Sequence, residues 1–150
     1  MSQQLAGLIP TLANYSAPVS KHWLKRPRLF DRLDQLMEQS VVWIAAPAGY
    51  GKTVLAAHYL AERHRPMLWF RIDDRDLDPG AFFHRLREAA SQYGIDGAER
   101  LPALTGEYTG GEAAFARNYT ETFFAGAPAG FVRVVDDFQQ LPEQAPLHAA

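Results

Sequence analysis

Residues 46–53 read A-P-A-G-Y-G-K-T. They fit the phosphate-binding pattern G-x-x-x-x-G-K-[ST] at every position except the first, where Ala46 replaces glycine. That departure is mild, because the residue at this position has only to be small. The apolar run 41–45 predicts a buried strand before the loop, and residues 54–61 predict a helix after it. A strand, a glycine loop and a helix in this order are the context that the pattern requires.

The residue types of this loop suit a nucleoside triphosphate. Gly49 and Gly51 let the backbone bend so that successive N–H groups point inward at phosphate oxygens. Lys52 places a charge on the terminal phosphates, and the Thr53 hydroxyl is a predicted Mg²⁺ ligand. The alternative, a glycine turn beside a surface lysine, is disfavoured because the flanking strand and helix agree with the motif. The predicted nucleotide-binding residues are Ala46, Pro47, Ala48, Gly49, Tyr50, Gly51, Lys52, Thr53 and Val54.

The composition limits the class of protein. The chain has 150 residues, of which 47% are hydrophobic and 21% charged, and this predicts one globular domain. A net charge of −2 gives no whole-chain attraction to nucleic acid or membrane. The absence of cysteine excludes disulfides and fits a reducing compartment. No apolar run reaches the ~20 residues of a membrane span, and the N-terminus lacks the basic start of a secretory signal. We expect a cytoplasmic protein.

The remaining elements follow from local patterns. Residues 1–20 show no sustained period and predict a flexible N-terminal arm, which leaves 21–150 for the domain. Helices are predicted from Pro27 to about Gln39 and over 52–64, 79–94 and 112–125, and strands over 67–72 and 131–136. A basic cluster opens the first helix, and we favour a solvated helix start over a nucleotide or nucleic-acid contact. The cluster comprises Lys21, Lys25, Arg26, Arg28 and Arg32.

Four aspartates follow the strand at 67–72. They lack the glycine and the closing glutamate of a calcium loop, so we predict a polar loop in which Asp78 caps the next helix and Pro79 lies in its first turn. The five histidines show no metal-ligand spacing. Arg133 is unusual in a buried parallel strand, and its position predicts contact with a sheet edge or a partner.

Asp136 and Asp137, called the acid pair below, end the apolar strand 131–136. An apolar strand that ends in acid downstream of a phosphate loop is the Walker B arrangement, in which Asp136 would hold Mg²⁺. Asp137 is at the place of a general base or water-orienting carboxylate in ATPases of the additional-strand class. The alternative is an ordinary strand that ends in a polar turn, and the presence of Lys52 and Thr53 upstream disfavours it.

Four blocks of the chain resemble one family. They are R-P-R-L at 26–29, A-A-P-A-G-Y-G-K-T at 45–53, W-F-R-I-D at 69–73 followed by Asp78, Pro79 and Phe82, and V-V-D-D-F at 134–138. Together they resemble the large MalT-like, LuxR-type ATP-binding transcriptional regulators of the STAND class, over roughly residues 26–142. Val54 and Gln139 depart from residues that are frequent in that family, and neither change disables phosphate binding.

The resemblance implies a fold and a function. The fold would be an α/β P-loop NTPase three-layer sandwich with a parallel sheet of the additional-strand class, ending just after the Walker B strand. The cofactors would be ATP and Mg²⁺, with Thr53 and Asp136 as metal ligands and Lys52 and Asp137 as catalytic residues. ATP binding would set a switch with slow hydrolysis and promote self-association of the full-length protein. DNA would be bound only by C-terminal parts outside these 150 residues, and no membrane partner is implied.

In the additional-strand class, the strand after Walker B lies between the phosphate-loop strand and the Walker B strand. The chain supplies strands only near 41–46, 67–72 and 131–136, so we expect a sheet without its middle and a fragment or incomplete product of a longer polypeptide. Two other functions remain open. One is a small-molecule or nucleotide kinase, which would need an arginine-rich lid. The other is a degenerate module that binds no nucleotide and serves in association.

Overall fold

The computed structural model describes residues 15–20, 22–106 and 111–142, and their contacts form two compact units. The smaller unit is Ala17–Arg65, and the larger contains Tyr15, Ser16 and the described residues from Pro66 onward. Most of the predicted N-terminal arm and the basic residue Lys21 lie outside the described residues. The helices are α1 (Pro27–Leu36), α2 (Lys52–Glu62), α3 (Pro79–Tyr93) and α4 (Glu112–Ala125), and the strands are β1 (Met67–Arg71) and β2 (Val132–Asp136).

The smaller unit is held together by one face of α1 and one of α2. Phe30 on α1 is buried, and its ring packs edge-on against those of His58 and Tyr59 on α2. Beside them, the Asp34 carboxylate accepts hydrogen bonds from Tyr59 Oη at 2.8 Å and from Arg63 Nε at 2.9 Å. The guanidinium and the hydroxyl lower the pKa of Asp34 from 3.8 to about 2. The contacts fix the two helices to each other.

The predicted strand at 41–46 was wrong. Residues 41–47 have no regular structure, and Val41 and Trp43 are 78% and 68% exposed. A strand forms only when its N–H and C=O groups pair with a neighbour. Both strands of the described residues belong to the larger unit, and within the smaller unit's described residues no strand offers that pairing.

The larger unit is built on a two-stranded parallel sheet. Residues of β1 and β2 pair in register, from Met67 with Val132 to Arg71 with Asp136. The consecutive residues 68–70 are all buried, as expected for a parallel sheet covered on both faces. The predictions of strands at 67–72 and 131–136 are therefore confirmed to within one residue. The full three-layer sandwich stays a prediction.

Helices α3 and α4 pack their apolar faces into one core with the sheet. The core residues of these helices are Phe83, Leu86, Ala89, Ala90, Phe115, Ala116, Tyr119 and Phe123. Tyr119 is fully buried, which raises its pKa, and its hydroxyl donates to the carbonyl of Phe83 at 3.2 Å. Arg133 places its guanidinium 5.3 and 5.4 Å from the ring centres of Phe123 and Phe124. Burial lowers the pKa of Arg133, and the two rings account for a cation within this strand.

The aspartate-rich loop serves the fold. Asp73 and Asp76 form a capping box around the 3₁₀ turn Asp74–Leu77, and Arg85 Nη1 on α3 is ion-paired with both carboxylates. Asp78 accepts from Ala81 N at 2.8 Å, which confirms the predicted cap of α3. Among the residues that the structure describes, no three acidic, histidine or cysteine side chains converge as a metal site.

Candidate functional site

The loop at 46–53 bends at its two glycines. Gly49 has φ +81° and Gly51 φ +77°, both in the left-handed region that glycine adopts without strain. Gly51 is the N-cap residue of α2, so Lys52 and Thr53 form the first turn of that helix. Left-handed residues beside a helix N-terminus turn backbone N–H groups toward a common point, which is the arrangement that anions bind. The local geometry agrees with the bend and helix start expected from the motif.

Lys52 contacts the loop itself. Its Nζ donates to the carbonyl oxygens of Ala46 at 2.7 Å and Pro47 at 3.2 Å. The ammonium group therefore links the first helical turn of α2 to the backbone at the start of the loop.

Arg26 is a second cation at this loop. A Cβ atom added at Gly51 would lie 3.6 Å from Arg26 Nη2, so the guanidinium lies against the backbone of the loop. The sequence favoured a solvated helix start for Arg26, with a nucleotide or nucleic-acid contact as the alternative. Two cations, Lys52 and Arg26, therefore adjoin the bend.

The acid pair ends β2 in the larger unit. The backbone N–H of Asp137 donates to Asp136 Oδ1 at 3.0 Å, and Gln139 Nε2 donates to Asp137 Oδ1 at 3.0 Å. Asp137 has φ +59°, a left-handed conformation that aspartate tolerates better than most residues. The N–H of Asp137 and the amide of Gln139 thus each hold one carboxylate oxygen of the acid pair at the end of the strand.

Arg71, the last residue of β1, is the neighbour that sequence reasoning missed. Its Nη2 lies 3.8 Å from Asp136 Oδ2 and its Nε 3.5 Å from Asp137 Oδ2. Residues directly opposite in a parallel sheet project to the same face, so the register of Arg71 with Asp136 accounts for the contact. The available signal was an arginine at the end of one predicted strand and acids at the end of the other.

The predicted site residues therefore fall into two groups. Residues 46–54 with Lys52 and Thr53 belong to the smaller unit, and Asp136 and Asp137 belong to the larger. A Mg²⁺ ion shared by Thr53 and Asp136 stays a prediction. The donor chemistry suits that ion, because Mg²⁺ prefers oxygen and is commonly held by one or two carboxylates together with phosphate and water.

Curated proteins named HTH-type transcriptional regulator MalT match this chain. The one from Vibrio cholerae is 43% identical over 68 residues, which are 45% of this chain and 7% of that protein. The one from Cronobacter sakazakii is 30% identical over 134 residues, which are 87% of this chain and 14% of that protein. The chain is similar to MalT-type transcriptional regulators. A further MalT protein, from Vibrio campbellii, is 38% identical over 79 residues, 51% of this chain and 9% of that protein. This chain thus spans about a seventh or less of the MalT proteins it matches.

Other comparisons add no relative. No family model matches the chain, and no solved structure matches it significantly. Within residues 15–20, 22–106 and 111–142, none of the helices has the length and apolar character that crossing a bilayer requires.

Proposed function

We propose that this chain is the ATP- and Mg²⁺-binding part of a STAND-type transcriptional regulator, in which bound nucleotide sets a switch and hydrolysis is slow. The observation that carries the proposal is the loop at 46–53, with its left-handed glycines, its helix start and Lys52 bonded to its backbone. The similarity to MalT proteins supports the regulatory role. The preference for ATP comes from the resemblance of the four sequence blocks to the ATP-binding regulators. In the longer protein, ATP binding would promote self-association, and DNA would be bound by parts outside these 150 residues. The absence of cysteine supports a cytoplasmic location.

The proposal gives each predicted residue a role. Residues 46–54 surround the phosphates, with the backbone N–H groups of all but Pro47 as the available donors, and Lys52 binds the terminal phosphates. Thr53 and Asp136 would hold Mg²⁺, which when bound neutralises charge on the phosphates. Asp137 would orient the attacking water in the slow hydrolysis reaction.

Equilibrium binding of labelled ATP, with and without Mg²⁺, tests the proposal. Lys52→Ala removes one cation from the phosphates, and a hydrogen bond to a charged group is worth about 1.5–3 kcal/mol, so we expect affinity to fall by about ten- to 150-fold. Lys25→Ala is the matched control, because Lys25 is an exposed lysine of the same unit, paired with Glu62 at 3.1 Å. Asp136→Ala should weaken only the Mg²⁺-dependent part of binding.

Two results would contradict the proposal. Equal ATP affinities of the wild type and Lys52→Ala would show that the loop does not bind phosphate. The remaining hypothesis would then be a module that binds no nucleotide and serves in association. Rapid phosphoryl transfer from ATP to an added small-molecule or nucleotide acceptor would show that the protein is a kinase and not a slow nucleotide-dependent switch.

A further inference from the structure

We propose that Arg71 is the built-in counter-charge of the acid pair and sets how tightly Asp136 and Asp137 take up Mg²⁺. The inference rests on the proposed function, because it concerns the metal that this function requires. Arg71 would be a positioning residue, since it acts through the carboxylates and not on the nucleotide.

The first argument is the placement of the guanidinium. Arg71 lies within 4 Å of both carboxylates, through Nη2 to Asp136 and Nε to Asp137. Backbone pairing fixes this placement, because Ile72 N donates to the carbonyl of Asp136 at 3.0 Å and the two strands run in register. Two adjacent carboxylates repel each other, and one cation between them offsets that repulsion.

The second argument is the kind of contact. The Arg63–Asp34 pair in the smaller unit is a direct hydrogen bond, with Nε 2.9 Å from Oδ1. The Arg71 distances of 3.5 and 3.8 Å are longer than hydrogen bonds. Arg71 therefore acts on both carboxylates through its charge and not through direct hydrogen bonds. A divalent cation can displace its guanidinium without breaking a bidentate ion pair.

The third argument is the solvent around the three groups. The Asp136 side chain is 11% exposed, against 38% for Arg71. The carboxylate is thus poorly hydrated, while part of the Arg71 side chain reaches water although its Nε is buried. An incoming cation would take the place of Arg71 at Asp136, so removal of Arg71 should raise the affinity for the metal.

Binding of Mn²⁺, a spin probe for Mg²⁺ sites, to the full chain without nucleotide tests the inference. The free ion is measured by its electron paramagnetic resonance signal. Because screened ion pairs of this length are modest, we expect Arg71→Gln to bind Mn²⁺ about three- to tenfold more tightly than the wild type. Arg71→Lys keeps the charge and should stay within about twofold of the wild type. Arg75→Gln is the matched control, because Arg75 is 63% exposed and pairs with Asp73.

A second measurement follows Arg71 in the wild-type protein. The Nε–H resonance of Arg71, assigned by its loss in Arg71→Lys, should shift during a Mg²⁺ titration of the wild type and stop shifting when the site is saturated. Asp136→Asn should abolish both the shift and the tight binding.

Two outcomes would overturn the inference. One is equal Mn²⁺ affinity in the wild type and Arg71→Gln, together with an unmoved Arg71 resonance. The other is Mn²⁺ binding that does not depend on Asp136. Neither outcome bears on ATP binding by the loop at 46–53, which Lys52→Ala tests separately.

Discussion

Replacing Arg85 with methionine should destabilise the larger unit far more than replacing its partner Asp76 with asparagine. The Asp76 side chain is fully buried, and Arg85 Nη1 is its ion-pair partner. Without Arg85, the carboxylate keeps the backbone N–H of Asp73 at 2.9 Å but no cation that the structure places against it. Leaving one charge of a buried pair uncompensated costs about 3–5 kcal/mol of unfolding free energy.

The substitution of the other partner, Asp76→Asn, leaves Arg85 with further contacts. Its Nη1 lies 3.1 Å from Asp73 Oδ1, and its guanidinium lies 5.1 Å from the ring centre of Phe70. Asparagine can still accept from the N–H of Asp73. We therefore expect Asp76→Asn to cost about 1–2 kcal/mol, the size of one lost charged hydrogen bond. The double variant contains no buried unpaired carboxylate, so its cost should fall below the sum of the single variants by about 1–3 kcal/mol.

Urea unfolding followed by circular dichroism measures all three free energies. Arg75→Met is the matched control, because Arg75 pairs with Asp73 from an exposed position and its loss should change stability by about 0.5 kcal/mol or less. Equal costs for Arg85→Met and Arg75→Met would refute the reasoning, because they would mean that the burial of Asp76 adds nothing to the pair. A cost for Asp76→Asn as large as that for Arg85→Met would refute the asymmetry.

Three further outcomes follow from the described contacts. The low pKa of Asp34 means that its carboxylate stabilises the smaller unit above pH 3.8, so the melting-temperature difference between the wild type and Asp34→Asn should be present at pH 7 and vanish as pH falls through about 2. A Cβ at Gly126 would collide with the carbonyl oxygen of Asp96, so Gly126→Ala should lower the urea-unfolding free energy by about 1–3 kcal/mol or more. Gly49 has open space around its missing Cβ, so Gly49→Ala should cost only the left-handed strain, about 1–2 kcal/mol by the same assay.

The helices were predictable because their signals are local. Asp78 and Pro79 mark the start of α3, Gly94 marks its end, and the observed helix runs from Pro79 to Tyr93. Its buried face, which includes Phe83 and Leu86, follows the helical spacing of its apolar residues. Caps and periodicity depend on neighbours within a few residues, which the sequence displays directly.

The strand at 41–46 was not predictable because pairing is not local. Its apolar residues satisfy the strand pattern, yet Val41 and Trp43 are exposed. The same limit hid Arg71, which meets Asp136 only through a register that joins residues 65 positions apart along the chain. The inward placement of Arg85 on Asp76 is likewise a contact that only the packed structure shows.

The double contact of Lys52 with the Ala46 and Pro47 carbonyls has a consequence for ligand binding. An incoming phosphate would exchange one set of oxygen ligands around the ammonium for another, so the enthalpy gained at this residue is a difference between two similar sets. Calorimetry of ATP binding to Lys52→Ala would then report two losses: the hydrogen bonds of Lys52 within the loop and its contact with the phosphates. Under the proposed function, the Ala46 and Pro47 carbonyls would hold the Lys52 ammonium within the loop before phosphate arrives.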